Sequence, residues 1–409
     1  MWTTSTTTWT FKREEPFALA RRYADEEGTC LLYSGDEIGY SYLALFPDKK
    51  IEVPLTPNCW EELEAQVDSD LYFGFLSYEM GCYSDSCHIT HHPSNFPAAL
   101  FYRPTTLIVF NHSTNVATLY GKSIRPSEKK GEFLAQLRSC SETLSSYLEK
   151  VRTILKHIKK GDVYQVNFSQ QFNFEWSGSS FALFENCAGT NPYAAYLHTP
   201  NFSLVSASPE MFVHKEGNVL RTAPIKGTAP RGSTPQEEAE NQKRLLASEK
   251  ERAELTMIVD LLRNDLSKVC FPVEVEKLCS LERFPDVFHL VSTLKGVLRK
   301  PLHPISILRH LFPGGSISGC PKLSAMRLIS QLENAPRGPY TGCVGFLNKG
   351  EMHFNIAIRT AIVEQKCLSL RLGGGIVADS DPLAEYEETL HKGRTFFQKL
   401  EQYADTLSQ

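Results

Sequence analysis

A succession of short apolar runs, separated by turn residues, is the feature that most limits how this chain can fold. Between residues 29 and 120 these runs are apolar throughout or alternate with polar residues, and Pro, Gly, Asn or Asp bounds them. Such runs predict β-strands, and their hairpin-like spacing favours mostly antiparallel sheets. The runs read TCLLYS, YSYLALF, LYFGFLSYEM, TTLIVF and VATLYG.

Helical patterns are interleaved with further strand runs in the rest of the chain. Apolar residues recur at helical spacing from Leu144 to Ile158, and Gly161 predicts the end of that helix. Long helical stretches are predicted over residues 234–266 and 382–403. Because strands and helices alternate in this way, we expect one large α/β or α+β body of the kind that enzymes use.

A polar stretch at residues 122–132, KSIRPSEKKGE, is the best candidate for a boundary along the chain. It divides the sequence into an N-terminal region, 1–140, and a second region, 141–409. We expect the first region to contribute strands to the same body as the second, so residue 140 is not expected to be a hinge.

Composition excludes several classes of protein. The net charge is −4, which gives no basic surface for nucleic acid. No run of apolar residues is long enough for a transmembrane helix, and the first residues lack the order of a signal peptide. The 11 cysteines are odd in number and scattered through apolar contexts, which is typical of reduced thiols. We therefore expect a cytoplasmic protein with no nucleic-acid or membrane partner.

Two pairs of carboxylates stand at helical spacing. Glu251 and Glu254 are three residues apart on one predicted helix, and Glu385 and Glu388 repeat this spacing on the last one. Residues at this spacing share one face of a helix. Two such faces across a cleft would suit Mg²⁺, which takes one or two carboxylates and completes its shell with water and substrate oxygens. The alternative is two solvated helix faces.

Two glycine-rich stretches have the composition of anion-binding loops. In residues 311–322 Cys320 stands where a phosphate loop requires lysine, which disfavours a nucleotide site. Residues 372–381 place three glycines between a strand and the final helix. Their N–H groups could form an anion nest, and the missing side chains would let a carboxylate approach closely. The alternative is a tight turn.

Cationic side chains follow at matching places. Arg359 ends a predicted strand, Lys392 lies one helical turn after Glu388, and Lys322 closes the first glycine-rich loop. Arginine binds a carboxylate through two hydrogen bonds, whereas lysine offers a point charge. The set would suit a substrate with two carboxylates. His289 lies within an apolar strand-like run. It is either a residue of the functional site or a histidine of the core.

A cluster of Cys and His residues lies at 82–92. The sequence CYSDSCHITHH contains potential zinc ligands, but their spacing matches no common zinc motif. A polar surface loop and a zinc-organised interaction module are the two interpretations. The members are Cys82, Cys87, His88, His91 and His92.

Taken in order, several stretches resemble the chorismate-utilising enzymes. The resemblance is strong over residues 145–400 and weaker N-terminally. It implies an α+β fold of two mostly antiparallel sheets packed as a sandwich, with helices outside and the active site in a cleft. The matching stretches are GDVYQVNFSQ, SASPE, PIKGTAPRG, KERAELTMIVDLLRNDL, FHLVSTLKG, FPGGSISGCPK, IAIRT and GGGIVADSDPLAEYEETLHK.

The resemblance also implies roles for individual residues. Glu254 and Glu388, supported by Glu251 and Glu385, would bind Mg²⁺ and through it the ring carboxylate of chorismate. Glu210 would be the general acid that helps the 4-hydroxyl to leave, and His289 would line the reacting centre. The residues implied for binding the substrate are Tyr340, Arg359, Gly374, Gly375 and Lys392, with Gln165 and Lys322.

Two positions distinguish the chemistries within the family. Enzymes that add water carry a lysine where this chain has Gln165. Enzymes that make anthranilate carry alanine where this chain has Lys226, and those that make 4-amino-4-deoxychorismate carry lysine there. We expect Pro224 and Gly227 to hold Lys226 in a rigid turn. Its amine must be unprotonated to act as a nucleophile, and its pKa depends on burial, cations and carboxylates that the sequence does not position.

The resemblance therefore implies that chorismate and ammonia give 4-amino-4-deoxychorismate, on the route to 4-aminobenzoate and folate. Because no glutaminase nucleophile motif is present, a separate class I glutamine amidotransferase is the expected source of ammonia. Two alternatives remain. One is anthranilate synthase chemistry on the same scaffold, and the other is a non-catalytic subunit that binds chorismate or regulates a partner.

Overall fold

The computed structural model describes residues 6–84, 89–232, 234–284 and 287–406, with only the backbone of the last six. These ranges contain strands β1 (Thr6–Thr10), β2 (Cys30–Tyr33), β3 (Tyr40–Val53), β4 (Tyr72–Leu76), β5 (Ala99–Asn111), β6 (Val116–Tyr120), β7 (Phe133–Cys140), β8 (Gln165–Gly178), β9 (Tyr193–His198), β10 (Phe202–Ser208), β11 (Met211–Glu216), β12 (Val219–Ala223), β13 (Ile225–Pro230), β14 (Cys270–Arg283), β15 (Val287–Leu298), β16 (Gly319–Cys320), β17 (Cys343–Leu347), β18 (Glu351–Ile356), β19 (Thr360–Glu364) and β20 (Cys367–Ile376). The helices are α1 (Glu15–Arg21), α2 (Cys59–Gln66), α3 (Leu144–Lys160), α4 (Ser180–Ala188), α5 (Pro235–Ala247), α6 (Glu249–Ser267), α7 (Pro304–Leu311), α8 (Lys322–Leu332), α9 (Pro382–Lys392) and α10 (Arg394–Thr406).

All the strands belong to one antiparallel hydrogen-bonded network that divides into two layers. The long strands β3 and β5 pair along their whole length and are common to both layers. One layer continues from β3 through β2, β9, β10, β19, β20 and β8 to β7. The other continues from β5 through β4, β17, β18, β11, β12 and β15. The expected α+β fold is confirmed, with the two sheets joined through this shared strand pair.

A kink in β3 allows the pair of strands β3 and β5 to belong to both layers. The register between β3 and β5 shifts between Pro47 and Lys49, and the preceding Phe46 has a φ of 53°. Such an irregularity bends a strand and increases its twist. On its far side β5 therefore pairs with β4 at one end and with β6 at the other. The sequence showed no bulge signal within the YSYLALF run.

The core lies in three layers around these sheets. Side chains from both sheets, such as Phe75 of β4 and Leu204 of β10, form one buried cluster between them. Outside, α2, α6 and α7 cover the second layer, and α1, α4 and α10 cover the first. Burial of apolar area, about 25 cal/mol per Å², drives this arrangement. The cleft that contains the candidate site is bounded by α6, α9 and the ends of β13, β15 and β20.

Each of the two long predicted helices is divided in the structure. Ser248 is extended and caps α6, so that α5 and α6 are separate helices. Gly393 separates α9 from α10, and a Cβ there would lie 2.3 Å from Leu372 Cδ1. A side chain at this position therefore has no room against β20. By contrast, α3 ends at Gly161 as predicted, with that residue in the left-handed conformation.

Strands from both sides of residue 140 pair with one another. β2 pairs with β9, β4 with β17 and β7 with β8. The N-terminal strands thus lie within the same two layers as the later ones. In the part of the chain that the structure describes, no helix is long and apolar enough to cross a membrane.

Candidate active site

Lys226 lies in β13, a strand rather than the expected turn, and a bulge follows it. The register with β15 shifts between Lys226 and Thr228, and Gly227 between them has a φ of 66°. Glycine adopts this conformation without the penalty of a Cβ. A Cβ at Gly227 would also lie 2.9 Å from Leu245 Cδ1. The local sequence therefore fixes the direction of Lys226 through a bulge in a paired strand.

The Lys226 ammonium donates to the Glu254 carboxylate, with 3.1 Å between Nζ and Oε2. The exposed fractions of the two side chains are only 17% and 10%. Burial lowers the pKa of Lys226, but Glu254, Glu388 and Glu251 together raise it above its ordinary value. The carboxylates therefore outweigh burial, and Lys226 is protonated in this state.

The two predicted carboxylate pairs converge on the same space. Glu388 and Glu251 each act electrostatically on Lys226, although one belongs to α9 and the other to α6. Lys392 pairs with Glu388 at 2.7 Å between Nζ and Oε1. Ser380 donates to Glu385 at 2.6 Å. The helix spacing read from the sequence thus brings all four carboxylates to one cleft.

Three glycines of β20 form one wall of this cleft. The structure places Gly373–Gly375 inside the strand, paired with β8, so their predicted position between a strand and the final helix is wrong, as is the tight turn; the anion nest stays a prediction. A Cβ at Gly374 would lie 3.3 Å from Glu385 Oε2 and 3.4 Å from Lys392 Nζ. The second part of the prediction, that missing side chains allow close approach, matches this geometry.

This donor set fits a hard divalent cation. Four carboxylates face three ammonium groups, those of Lys226, Lys392 and the more exposed Lys250, so negative charge is in excess. Burial raises the pKa of Glu251 and of Glu385, and the neighbouring carboxylates raise it further. Within the described ranges no three potential metal ligands already converge on one point. Mg²⁺ usually keeps several waters and takes few carboxylates, so this spacing suits it. Magnesium binding stays a prediction.

Glu210 is a buried carboxyl group next to the cleft. Ser316 donates to its Oε1 at 2.7 Å, and the residue is 5% exposed. Burial raises the pKa of Glu210 to about 7, although Ser316, Lys226, Arg359 and Lys392 oppose this effect. A carboxyl group that keeps its proton near neutral pH can donate it to a leaving group.

His289 of β15 is neutral and has a defined tautomer. Its Nδ1 lies 3.2 Å from the Gly227 carbonyl oxygen and 3.0 Å from Thr228 Oγ1. A carbonyl can only accept, so Nδ1 carries the proton and Nε2 keeps its lone pair. Burial, followed by the charge of Arg359, lowers the pKa of His289 to about 4. The histidine can therefore accept a hydrogen bond.

Arg359 differs from its predicted place at the end of a strand. It lies in the bend between β18 and β19, with a φ of 49°. Burial lowers its pKa, and Glu210 partly offsets this effect. Among the described residues no carboxylate forms an ion pair with its guanidinium. A partly buried cation without a carboxylate partner is suited to an anionic ligand.

Tyr340 lies beside a buried network of ion pairs that the sequence did not reveal. Glu333 binds Arg337 at 2.7 Å and Arg371 at 3.2 Å, and the Arg337 guanidinium lies 5.9 Å from the Tyr340 ring. Glu79 accepts from the backbone N–H of Arg337. The network joins β8, β20 and the segment before β17. Its only sequence signal was four charged residues in otherwise apolar or turn contexts.

Gln165 and Lys322 have different surroundings. Gln165 is 2% exposed, and its Nε2 has no hydrogen-bond partner among the described residues. It would lie 2.8 Å from a Cβ at Gly375, which places it beside Lys226. Lys322 instead donates to Asp265 at 2.7 Å and to the Leu311 carbonyl. The structure does not bring its ammonium into the carboxylate cluster, and its substrate role stays a prediction.

The possible zinc loop lies partly outside the described residues, which exclude Cys87 and His88. Cys82 is buried, and burial raises the pKa of its thiol to about 12. His91 contacts the Tyr83 hydroxyl, and His92 contacts the Glu333 carbonyl. The two described histidines are thus held by the protein itself.

Fold and site together define a class: an α+β enzyme whose cleft holds opposed carboxylates, a partly buried arginine and a partly buried lysine. Residues 14–398 match the model of the chorismate binding enzyme family. The chain therefore belongs to the chorismate-binding enzymes.

Individual relatives fall into two groups of the family. Anthranilate synthase component 1 from Saccharolobus solfataricus is 36% identical over 78% of each chain. Aminodeoxychorismate synthase component 1 from Salmonella typhimurium is 43% identical over a match that covers 63% of this chain and 58% of the relative. The solved structure of anthranilate synthase component I from Streptococcus pneumoniae superposes with a TM-score of 0.75 at 27% identity, covering 87% of this chain and 91% of the other.

Proposed function

We propose that this chain converts chorismate and ammonia to 4-amino-4-deoxychorismate, as the synthase component of an aminodeoxychorismate synthase. The observation that carries the proposal is Lys226, a buried amine at the centre of the carboxylate cluster. Gln165 beside it offers no base for activating water. The 43% identity to the Salmonella aminodeoxychorismate synthase component is further support.

In the first step the Lys226 amine bonds to C2 of chorismate. The ring double bonds shift, and the C4–O bond breaks. Glu210 protonates the departing hydroxyl, which leaves as water, and the proton of the new ammonium passes to the surrounding carboxylates. The raised pKa of Glu210, about 7, suits this acid role at neutral pH. Arg359 and Lys392 would bind the enolpyruvyl carboxylate, which is retained.

In the second step ammonia bonds to C4, the double bonds shift back, and the C2–N bond to Lys226 breaks. The lysine nitrogen leaves with the C2–N electron pair and takes up the proton that the incoming ammonia loses, so that it becomes the free amine again. The proton held by the carboxylates returns to Glu210, which restores the enzyme. The sum is chorismate plus ammonia giving 4-amino-4-deoxychorismate plus water. Two displacements through a covalent adduct replace one difficult substitution.

Lys226 must lose its proton before it can attack. In the cation-free cleft, Glu254 and the other carboxylates stabilise its ammonium form. When bound by these carboxylates, Mg²⁺ would offset their charge and hold the ring carboxylate of the substrate. The residues that would hold it are Glu254 and Glu388, with Glu251 and Glu385 behind them. With the carboxylate charge offset, burial would lower the pKa of Lys226.

We also propose a separate class I glutamine amidotransferase as the source of ammonia. The relatives are named as component 1 of their enzymes, which implies a second component. Glutamine-dependent turnover that requires the added amidotransferase, beside ammonium-dependent turnover of the chain alone, is the expected result. Glutamine turnover by the purified chain alone would contradict this part of the proposal.

The central experiment incubates the purified chain with chorismate, ammonium and MgCl₂, and identifies the product by mass spectrometry. We expect 4-amino-4-deoxychorismate without release of pyruvate, and loss of turnover when a chelator removes Mg²⁺. Lys226→Ala should lose most of this activity. Lys250→Ala is the matched control, because it also removes a positive charge near Glu254 but from an exposed side chain. Equal turnover by the two variants would exclude a role for Lys226.

Anthranilate synthesis is the second candidate, because the Saccharolobus anthranilate synthase component matches a larger share of this chain. Anthranilate is fluorescent, and its formation releases pyruvate, so the same incubation distinguishes the two reactions. Anthranilate as the main product would replace the first proposal. Binding of chorismate without any turnover, also with the amidotransferase added, would instead support a non-catalytic subunit.

A further inference from the structure

One of the four carboxylates in the cleft is held in a different way from the others. Glu254 and Glu388 are each held by an ammonium group, at 3.1 and 2.7 Å. Glu385 instead accepts from the hydroxyl of Ser380, with 2.6 Å between Oε1 and Oγ. Among the described residues, Ser380 is the only neutral side chain that donates to any of the four carboxylates.

The hydrogen of the Ser380 hydroxyl has a defined direction. The backbone N–H of Val377 donates to Oγ at 3.0 Å, and the backbone N–H of Ser380 donates to the Val377 carbonyl oxygen, also at 3.0 Å. A serine hydroxyl has one hydrogen and accepts through its lone pairs. Because the N–H of Val377 can only donate and a carboxylate can only accept, the hydroxyl hydrogen points at Glu385 Oε1.

The turn that carries Ser380 connects β20 to α9. Ala378 and Asp379 at its tip are exposed, whereas the exposed fractions of Ser380 and Glu385 are only 7% and 4%. Capping of α9 does not explain the buried hydroxyl, because the side chain of Asp381 already accepts from the free N–H groups at the start of that helix. The side chain of Ser380 is therefore engaged with Glu385 and with its own turn.

The second oxygen of Glu385 stays open to the cleft. A Cβ at Gly374 would lie 3.3 Å from Oε2, so this oxygen faces the wall of glycines. In the part of the chain that the structure describes, neither a hydrogen bond nor an ion pair engages Oε2. A neutral hydroxyl on Oε1 fixes the orientation of the carboxylate and leaves its charge intact, whereas an ammonium group would oppose the binding of a second cation.

We propose that Ser380 is a positioning residue that orients the Glu385 carboxylate toward a divalent cation in the cleft. This inference rests on the proposed use of Mg²⁺ and does not depend on which product is formed. Groups that lie behind a metal ligand orient it, and their loss typically costs about 10- to 100-fold in metal affinity. Without the hydroxyl, Glu385 keeps its charge, but its side chain must be ordered when the cation binds.

Calorimetric titration of the full chain with MgCl₂, without chorismate, tests the proposal. Ser380→Ala should bind Mg²⁺ about ten-fold more weakly than the parent. Ser306→Ala is the matched control, because this serine donates to Glu64 at 2.9 Å outside the cleft, and its loss should leave the affinity unchanged. Equal affinity in Ser380→Ala and the parent would overturn the role of Ser380 alone. No binding by the parent would contradict the proposed magnesium site and the positioning role with it.

The dependence of turnover on MgCl₂ distinguishes the orientation of a ligand from a general loss of structure. Ser380→Ala should need about ten-fold more MgCl₂ for half-maximal turnover and should approach the maximal rate of the parent. A lower maximal rate with an unchanged requirement for MgCl₂ would overturn the proposal. Glu385→Gln should weaken Mg²⁺ binding at least as much as Ser380→Ala, because it removes the charge itself. A smaller loss in Glu385→Gln would show that Ser380 does not act through Glu385.

Discussion

Replacement of Glu210 by glutamine tests the electrostatics of the main cleft most directly. The native carboxyl group is buried, accepts from Ser316 at 2.7 Å and has a pKa of about 7 instead of the ordinary 4.5. Glutamine keeps the shape and the acceptor oxygen but cannot ionise. The substitution therefore removes one titration and little else.

The size of the effect follows from linkage. The native state holds the proton of Glu210 up to about pH 7, whereas the unfolded chain releases it near pH 4.5. The raised pKa therefore costs the native state stability as the pH rises from about 4.5 to 7. At about 1.4 kcal/mol per pH unit, the cost above pH 7 is about 3 kcal/mol. The free energy of unfolding of Glu210→Gln should equal that of the parent near pH 4.5 and exceed it by up to about 3 kcal/mol at pH 8.

Urea unfolding at pH 5, 6, 7 and 8 measures this difference, provided that the slope of the transition is the same in both proteins. Ser316→Ala is the companion variant. This variant removes the hydrogen bond that stabilises the ionised form of Glu210, so the pKa of Glu210 should rise. The loss of stability with pH should therefore continue to a higher pH than in the parent. A difference between Glu210→Gln and parent that is the same at every pH would refute the reasoning. If Glu210 is also the general acid, turnover of Glu210→Gln should fall about 10²- to 10⁴-fold at every pH.

Two further substitutions test the walls of the cleft. Gly375→Ala would place a Cβ 2.8 Å from Gln165 Nε2, so we expect turnover to fall at least about ten-fold with little change in melting temperature. Gly350→Ala is the control, because a Cβ has room at that position. Equal turnover in the two variants would contradict the close approach at Gly375. Glu333→Gln would leave Arg337 and Arg371 buried without the carboxylate charge that they share, and we expect a loss of about 3–5 kcal/mol of stability in urea unfolding. A loss below about 1 kcal/mol would show that the network does not support the fold.

Periodicity made several parts of the site predictable. The i, i+3 spacing of Glu251 with Glu254 fixes their common helix face whatever the tertiary fold, and the structure brings them together with the second pair. Gly161 ends α3 because a left-handed residue is needed there. Apolar alternation likewise located β2 to β6. These signals act over a few residues, so they are visible in the sequence.

Contacts between distant segments were not predictable in this way. The three glycines before α9 were expected between a strand and that helix, but their pairing with β8 places them inside β20. Arg359 was expected at the end of a strand, and packing places it in a left-handed bend. Strand pairing and burial override such local preferences because they involve segments that are far apart in the chain.

The sequence by itself determined the repertoire of elements, the two carboxylate faces and the presence of a lysine at position 226. It also determined the resemblance to chorismate-utilising enzymes. Only the tertiary structure decided the charge state of that lysine, because the pKa depends on carboxylates contributed by α6 and α9. The tertiary structure also decided the charge states of Glu210 and His289. Burial raises the pKa of Glu210 and lowers the pKa of His289, because it favours the neutral form of each group. The spacing of residues in the sequence predicts which groups share a helix face, whereas the distances between groups in the folded protein determine their pKa values.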